Sequence, residues 1–187
     1  MRTFARLAIL AAVAVAAVFA QAPIRKAPDF TVVEPSGKQT PISSFKGKVC
    51  VIEFLFTTCP HCQKESQMLT KLYNEMGPRG LQVVGVAVND NAAILVPQFV
   101  QQFQVPYPMG IATQDAMKTY MGISEMERWV VPQVVVIDKK GMIRAQTPYQ
   151  GDPNLQSETY MHNLLDGLLK EGATTSKTGK TTASNHR

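Results

Sequence analysis

The 187-residue chain is poor in charge and has no long hydrophobic run. Charged residues make up 18% of it, and its one extended apolar stretch, residues 7–20, is shorter than the roughly 20 residues a helix needs to span a bilayer. A polytopic membrane protein is therefore excluded. Hydrophobic residues make up 45% of the chain, which is ordinary for a globular protein and excludes a fully disordered or collagen-like one. One domain with tails fits this length.

The body of the chain also lacks a net charge, although the whole chain carries +5. Residues 1–20 contain two arginines and no acid, and residues 173–187 contain three basic residues and no acid. Without these five, the 19 lysines and arginines fall to 14, equal to the 14 aspartates and glutamates. The basic character belongs to the two ends, so the charge gives no reason to expect nucleic-acid binding.

The two ends are predicted to lie outside the folded domain. Arg2 and Arg6, followed by the apolar residues 7–20, form the pattern of a secretory signal peptide with cleavage after Ala20. No cysteine lies near this point to carry a lipid anchor, and an uncleaved membrane anchor is the alternative. Residues 173–187 are rich in Thr, Ser, Gly and Lys, and we expect a disordered basic tail. The protein is thus predicted to be periplasmic or secreted, with no stable membrane span after cleavage and a domain at 27–172.

The body alternates buried-strand and amphipathic-helix patterns, with no internal repeat. The α/β class follows from this order, with helices on both faces of a sheet. The predicted strands are 49–56, 81–88, 133–138 and 142–147, and the predicted helices are 59–76, 92–102, 116–121 and 155–169.

Cysteine is scarce, and two of the three cysteines form the motif Cys59-Pro60-His61-Cys62. A zinc site would need a second cysteine pair, which the chain lacks. A c-type haem site would need His after the second cysteine, where Gln63 stands. The motif follows a buried strand and begins a helix, so we interpret it as a redox-active dithiol. Cys50, inside a predicted buried strand, is expected to be a packing residue.

The position of the motif assigns different roles to its residues. Unpaired backbone N–H groups and the helix dipole favour a negative sulfur at the first turn, so Cys59 is expected to be the exposed attacking thiol. Cys62, one turn further on, is expected to be buried and to resolve the mixed disulfide. Pro60 suits the first helical turn, and His61 can add positive charge or a donor beside Cys59.

Glu53 is the only charged residue in the apolar run 49–56. Burying an isolated carboxylate is costly or raises its pKa, so such a residue usually has a task. Glu53 lies on the strand that leads into Cys59, and we expect it to accept and return the Cys62 proton. A salt-bridged or rim-exposed glutamate is the alternative.

Together with Pro132 at the start of a predicted strand, these features resemble the thioredoxin superfamily over about residues 27–170. The segments APDFTVVEPSGK, SSFKGKVCVIEF, LQVVGVAV and VPQVVVIDKKGMIR resemble its TlpA/ResA and AhpC/TSA (redoxin) branch. The resemblance implies a thioredoxin-like fold with a central mixed sheet. It also implies a cis Pro132 facing the disulfide, and pairing of the Val131 backbone with an extended substrate segment. Protein thiols and disulfides would be the substrates, alongside an unidentified redox partner, with no metal or organic cofactor.

Trp129 lies close to this Val131–Pro132 segment. It is expected either to line the substrate groove or to pack in the core.

The active-site motif itself departs from the reductants of this branch, which usually carry Trp where this chain has Thr58. The site is instead similar to that of the oxidase DsbA in Glu53, the Cys-Pro-His-Cys motif and Val131 before Pro132. We therefore expect an oxidising tendency. A ResA/TlpA-type reductant, for example of apocytochrome c, shares every catalytic residue and differs only in potential.

Two further alternatives remain on the same fold. A peroxiredoxin-like peroxidase would need Pro-x-x-x-Thr-x-x-Cys, which none of the three cysteines completes. A copper carrier would resemble C-x-x-x-C with a distant histidine, and the spacing here is one residue short.

Overall fold

The computed structural model describes residues 24–171. The predicted signal peptide and basic tail lie outside the described residues. The strands are β1 (Arg25–Lys26), β2 (Thr31–Val33), β3 (Gln39–Pro41), β4 (Val49–Leu55), β5 (Leu81–Ala87), β6 (Met109–Ile111), β7 (Gln133–Ile137) and β8 (Met142–Gln146). The helices are α1 (Pro60–Met76), α2 (Ala92–Phe103), α3 (Gln114–Met121) and α4 (Glu158–Lys170), with 3₁₀ turns at Ile42–Phe45 and Gly77–Arg79.

The strands form one mixed sheet in the order β1-β8-β7-β4-β5-β6-β2-β3. The centre is β4, which pairs in parallel with β5 and antiparallel with β7. Every residue of β4, β5 and β7 is buried, as expected for apolar strands covered on both sides. The predicted thioredoxin-like α/β class with a mixed sheet is confirmed.

Helices cover both faces of this sheet, and alternation along the strands decides which side chains they meet. One face carries Val49, Val51 and Leu55 of β4 and packs against α1, α2 and α4. The other face carries the intervening residues of β4 and packs against α3 and the Ile42–Phe45 turn. Glu53 falls in the series that faces α1, so the pleat of β4 points its carboxyl towards the helix that bears the cysteines.

Four of the eight strands were not predicted, because β1, β2, β3 and β6 are only two or three residues long. Such segments show no periodicity, although residues 27–33 were expected to be extended. The sheet also starts at Arg25, slightly before residue 27 where the domain was predicted to begin.

One glycine creates space for the packing around Glu53. Gly85 pairs with Glu53 across β4 and β5. A Cβ atom at Gly85 would overlap the Met109 sulfur and lie 3.4 Å from Leu55 Cδ2. The absence of a side chain at Gly85 is therefore required for β6 to bring Met109 over the sheet.

Candidate active site

The Cys-Pro-His-Cys motif lies where β4 ends and α1 begins. Cys59 is the N-cap residue of α1, with extended backbone at φ −83° and ψ 121°, and Pro60 is in the first turn. The Cys59 N–H donates to the Phe56 carbonyl over 3.0 Å, and the Cys59 carbonyl accepts from the Gln63 N–H over 3.0 Å. The first cysteine is thus held at the helix N-terminus, where a negative sulfur is stabilised.

The two cysteines differ in exposure as the sequence predicts. Cys59 is partly exposed and Cys62 is fully buried, and both are free thiols. Cys59 packs against the core cluster that contains Cys62. Burial raises the pKa of Cys62 well above its usual range, although a hydrogen bond with the Phe56 backbone lowers it in part. The site therefore has one accessible sulfur, with a second, protonated sulfur behind it.

His61 is exposed and makes no side-chain hydrogen bond with any residue in 24–171. Its ring is therefore free to approach the Cys59 sulfur or a bound substrate. The role predicted for it as an electrostatic neighbour of Cys59 stays a prediction.

Glu53 lies fully buried beneath this site. Its carboxyl accepts a 2.7 Å hydrogen bond from the Ser66 hydroxyl on α1, while its other oxygen has no hydrogen-bond partner within the described residues. Burial, then the nearby Glu65 carboxyl, raise its pKa well above the usual range, and the Ser66 bond lowers it only in part. Glu53 is therefore not rim-exposed, and it forms no ion pair with any residue in 24–171. The proposed proton transfer is not tested by this burial.

Glu65 is a second buried carboxyl, and it was not predicted to contribute to the site. It is 3% exposed on α1, one turn beyond Cys62, and its Oε1 atom has no hydrogen-bond partner in the described part of the chain. Burial raises its pKa to about 8. Its spacing was the available signal, since a position three residues after a buried cysteine lies on the same helix face.

The loop before Cys59 is fixed by the end of β5. Asn89 Oδ1 accepts hydrogen bonds from the Thr57 N–H over 2.9 Å and from the Thr57 hydroxyl over 3.3 Å. The Gln63 side-chain amide donates to the Thr57 carbonyl over 3.1 Å. Asn89 was not predicted to contribute, because the turn of the chain that brings it beside Thr57 is set by the pairing of β4 with β5.

The predicted docking segment lies beside the cysteines because β7 runs antiparallel to β4. Gln133, the first residue of β7, pairs with Phe54 near the end of β4. The Val131–Pro132 peptide is cis, in agreement with the resemblance. Val131 and Cys59 are both partly buried side chains packed against the same core cluster. The structure therefore brings Val131 and Pro132 to the end of the central strands at which the dithiol lies.

Trp129 joins the docking segment to the strand that leads into the motif. Its ring packs edge-on against Phe56, with centroids 5.8 Å apart and an interplanar angle of 87°. Phe56 is three residues before Cys59, and its carbonyl accepts the Cys59 N–H. Trp129 is partly buried, so it both packs against the domain and keeps an exposed edge near Val130.

The buried Gln133 side chain holds the docking segment in place. Its amide nitrogen lies 2.8 Å from the Val130 carbonyl, 3.3 Å from that of Pro148 and 3.4 Å from that of Tyr149. The Val130 N–H also donates to the Tyr149 carbonyl over 3.0 Å. The segment before Pro132 is thus fastened to the turn after β8.

The described residues offer neither a membrane-crossing helix nor a metal centre. None of the helices within 24–171 is long and apolar enough to cross a bilayer. Nor does that region group three His, Cys, Asp or Glu side chains in a way that could hold a metal ion.

The fold and the site define a thioredoxin-like domain with a Cys-x-x-Cys dithiol facing a cis-proline segment. Residues 23–146 match the model of the AhpC/TSA family, and the chain belongs to that family. The relationship accounts for the predicted AhpC/TSA, TlpA/ResA-like frame.

Similar proteins point to the same branch. The chain is 30% identical over 120 residues to "Thiol-disulfide oxidoreductase ResA" of Bacillus thuringiensis subsp. konkukian (strain 97-27), covering 64% of this chain and 65% of that relative. It is 25% identical to ResA of Bacillus subtilis (strain 168), covering 79% and 76%. The chain thus spans slightly less than two thirds of the first of these relatives.

Among solved structures, a thiol:disulfide interchange protein of the thioredoxin family from Chlorobium tepidum TLS superposes with a TM-score of 0.66 at 25% identity, covering 80% of this chain and 99% of that one. A secreted Mycobacterium tuberculosis disulfide oxidoreductase, described as homologous to E. coli DsbE, superposes with a TM-score of 0.58 at 18% identity, covering 74% and 96%. The second similarity concerns the fold alone.

Proposed function

We propose that this protein is a thiol–disulfide oxidoreductase that exchanges disulfides with protein substrates through Cys59 and Cys62. The observation that carries the proposal is a partly exposed sulfur at the N-terminus of α1 with a buried sulfur one turn further along the same helix. In the oxidised protein, a substrate thiolate attacks Cys59 and releases Cys62, and the second substrate thiol then displaces Cys59. The substrate gains a disulfide and the protein gains two thiols.

The surroundings of the dithiol support a role for each remaining residue. Glu53 would accept and return the Cys62 proton, because it is the buried carboxyl on the strand beneath the site. Val131 would offer its backbone to an extended substrate segment, and Trp129 would line the groove beside it. This chemistry needs no metal or organic cofactor.

Export to an oxidising compartment belongs to the same proposal. It rests on the signal-peptide pattern of residues 1–20, and disulfide exchange of this kind suits extracytoplasmic proteins. The test is the N-terminal sequence of the protein recovered from the periplasm or medium, which we expect to begin at Gln21. If the protein instead keeps Met1 and is recovered in the membrane fraction, the uncleaved membrane anchor is favoured.

We propose that the protein tends to oxidise its substrates. His61 and the helix N-terminus would give this tendency by stabilising the reduced Cys59. The second candidate, a ResA-type reductant, is favoured by the similarity to ResA. The equilibrium reduction potential of the pair against glutathione separates the two. A value well above about −200 mV supports the oxidant, and a value near about −270 mV supports the reductant.

Trapping tests the exchange itself. Cys62→Ser should accumulate mixed disulfides between Cys59 and client proteins, because the resolving thiol is missing. The matched variant Cys59→Ser should accumulate none, since Cys62 is buried. Absence of any adduct with Cys62→Ser, under conditions where the unaltered protein oxidises or reduces a model peptide, would contradict the mechanism.

A further inference from the structure

A cavity of about 560 Å³ lies at the end of the sheet away from the dithiol. Cys50 near the start of β4 and Ile137 at the end of β7, which pair with each other, both line it. The cysteine motif follows the opposite end of β4. With a rise of about 3.3 Å per strand residue, the two places are on the order of 15 Å or more apart. The volume falls in the range of small-molecule binding sites.

The floor of the cavity is apolar. Ile42, Phe45, Cys50 and Ile137 line it, and three of these are at most 7% exposed. Burial raises the pKa of Cys50 to about 12, so its thiol is neutral and acts as part of this apolar surface. A hydrocarbon or aromatic body placed here would lose contact with water against a preformed wall.

The rim is basic. Lys26, Lys46, Lys48 and Lys140 line the cavity, all four are exposed, and none forms an ion pair or side-chain hydrogen bond with any residue in 24–171. Most other basic side chains of the sheet and helices have carboxylate partners, for example Lys71 with Glu158 over 3.1 Å. Unpaired lysines gathered at one opening attract anions.

The two acidic residues at the cavity do not cancel this charge. Asp138 accepts hydrogen bonds over 2.9 Å from the N–H groups of Lys140 and Met142 and pairs with Arg144 over 3.2 Å. The Asp138 carboxylate is thus engaged by backbone N–H groups and by Arg144, which lies outside the rim and also pairs with Glu171 over 2.7 Å. Asp29 is the one remaining acid, exposed and bonded only to the N–H of Phe30.

We propose that this cavity binds a small anionic amphiphile, with its carboxylate or phosphate headgroup at the four lysines and its hydrocarbon body on the Ile42, Phe45, Cys50 and Ile137 floor. The apolar floor selects against a free inorganic anion, and the basic rim selects against a neutral hydrocarbon. Because the cavity is remote from Cys59, binding does not depend on the proposed disulfide exchange. The two proposals can therefore fail separately.

Calorimetric titration with decanoate below its micelle concentration tests the ligand class. We expect one decanoate per chain, at least tenfold weaker binding of decanol, which lacks the charge, and no measurable binding of acetate, which lacks the body. Equal binding of decanol and decanoate would overturn the role of the rim. Failure of decanoate to bind would overturn the site.

Variants then locate the site. Lys46→Gln with Lys48→Gln should weaken decanoate binding about tenfold, or about 1.4 kcal/mol, because half of the rim charge is lost. The control Lys71→Gln with Lys170→Gln removes the same charge from α1 and α4 and should leave affinity unchanged. Ser43→Trp, at an exposed lining position, should block binding without altering the core. Unchanged affinity in both cavity variants would overturn the proposal.

A membrane surface is the other anionic partner that lysines could meet. In a flotation assay with phosphatidylglycerol vesicles, we expect the unaltered protein and the variant with Lys46→Gln and Lys48→Gln to bind the vesicles equally. Vesicle binding that is lost with Lys46→Gln and Lys48→Gln, in a protein that does not bind decanoate, would replace the cavity ligand with a lipid surface.

Discussion

The hydroxyl of Ser66 donates a 2.7 Å hydrogen bond to the carboxyl of Glu53, and both side chains are fully buried. This bond joins β4 to α1 directly beneath the dithiol. Because Ser66 is one turn after Cys62 on the same helix, the carboxyl is fixed on the side of α1 that carries the buried sulfur. Burial and the nearby Glu65 carboxyl disfavour the charged form of Glu53 there and raise its pKa well above the usual range.

Glu53→Gln is expected to slow disulfide exchange by about tenfold or more, because general acid–base catalysis by a positioned group typically contributes about 10²–10⁴-fold. The fold should persist, since the amide is the same size and can still accept the Ser66 hydrogen bond. Reduction of the oxidised protein by dithiothreitol can be followed between pH 5 and 9 through the fluorescence of Trp129, the only tryptophan in the chain.

Ser66→Ala is the control for this experiment, because it removes the hydrogen bond and keeps the carboxyl. Its rate should stay within about threefold of the unaltered protein. If Ser66→Ala were as slow as Glu53→Gln, packing rather than proton transfer would explain both. Unchanged rates for Glu53→Gln at every pH would remove the proposed role.

Glu65→Gln is expected to raise the free energy of unfolding, relative to the unaltered protein, more at pH 8 than at pH 5. The pKa of Glu65 is raised to about 8 in the folded state, whereas an unfolded glutamate titrates near about 4.3. The folded state therefore binds more protons between these values, and the free energy of unfolding falls as pH rises through this window. The variant does not lose stability in this way, so its free energy of unfolding at pH 8 should exceed that of the unaltered protein by about 2 kcal/mol or more.

Urea unfolding of the reduced protein at pH 5 and pH 8 measures this difference. Glu158→Gln is the control, since the Glu158 side chain is 55% exposed and its partner is a lysine, Lys71, and not a histidine. It should change stability equally at both pH values. A Glu65→Gln variant whose stability falls with pH as steeply as the parent would show that Glu65 ionises normally.

Gln133→Leu is expected to raise KM for an extended peptide disulfide about tenfold while leaving the reduction potential unchanged. The leucine cannot donate to the Val130 carbonyl, and a hydrogen bond of this kind contributes about 0.5–1.5 kcal/mol. The segment before Pro132 would then lose its fixed position, but the dithiol would not.

Gln146→Leu provides the comparison for Gln133→Leu. The Gln146 amide donates to the Met121 carbonyl over 2.7 Å, away from the cysteines. Peptide KM should be unaffected by this change. A Gln133→Leu variant with normal KM, or one whose potential shifts, would contradict the positioning role.

His61→Ala is expected to lower the reduction potential, because the histidine would stabilise the reduced Cys59 and its removal would favour the disulfide. A tenfold change in the equilibrium constant corresponds to about 30 mV, and a shift of about that size is the expectation. Lys64→Ala, an exposed cation one turn further along α1, should shift the potential less. Equal shifts for both variants would indicate a general charge effect and not a specific role for His61.

Much of the central frame could be predicted because its elements are long and strongly patterned. The limits of β4, β5, β7 and β8 lie within a residue of the predicted strands, and α1 begins directly after Cys59 as expected. The short strands β1 and β6 could not be predicted, since two or three residues form a strand only by pairing with a neighbour. The burial of Glu53 was predicted from the same pattern as its strand, because apolar residues precede and follow Glu53 in the sequence.

The supporting contacts of the site depended on the tertiary structure. Glu65 and Gln133 are ordinary polar residues in the sequence, and their significance comes from what covers them. Asn89 contacts Thr57 because parallel pairing of β4 and β5 puts the two strand ends side by side. The basic rim of the cavity remote from the dithiol likewise assembles lysines from segments more than 100 residues apart, Lys26 and Lys140 among them.

The amino-acid sequence by itself determined the proposed chemistry, because two cysteines at the start of a helix after an apolar strand need only local geometry to act as a redox pair. Only the tertiary structure decided which groups surround that pair. Antiparallel pairing of β7 with β4 places the cis-proline segment beside Cys59, and packing of α1 on the sheet encloses Glu53 and Glu65 together. Local patterns fix what one segment can do, whereas burial and proximity between distant segments arise only when the sheet is assembled.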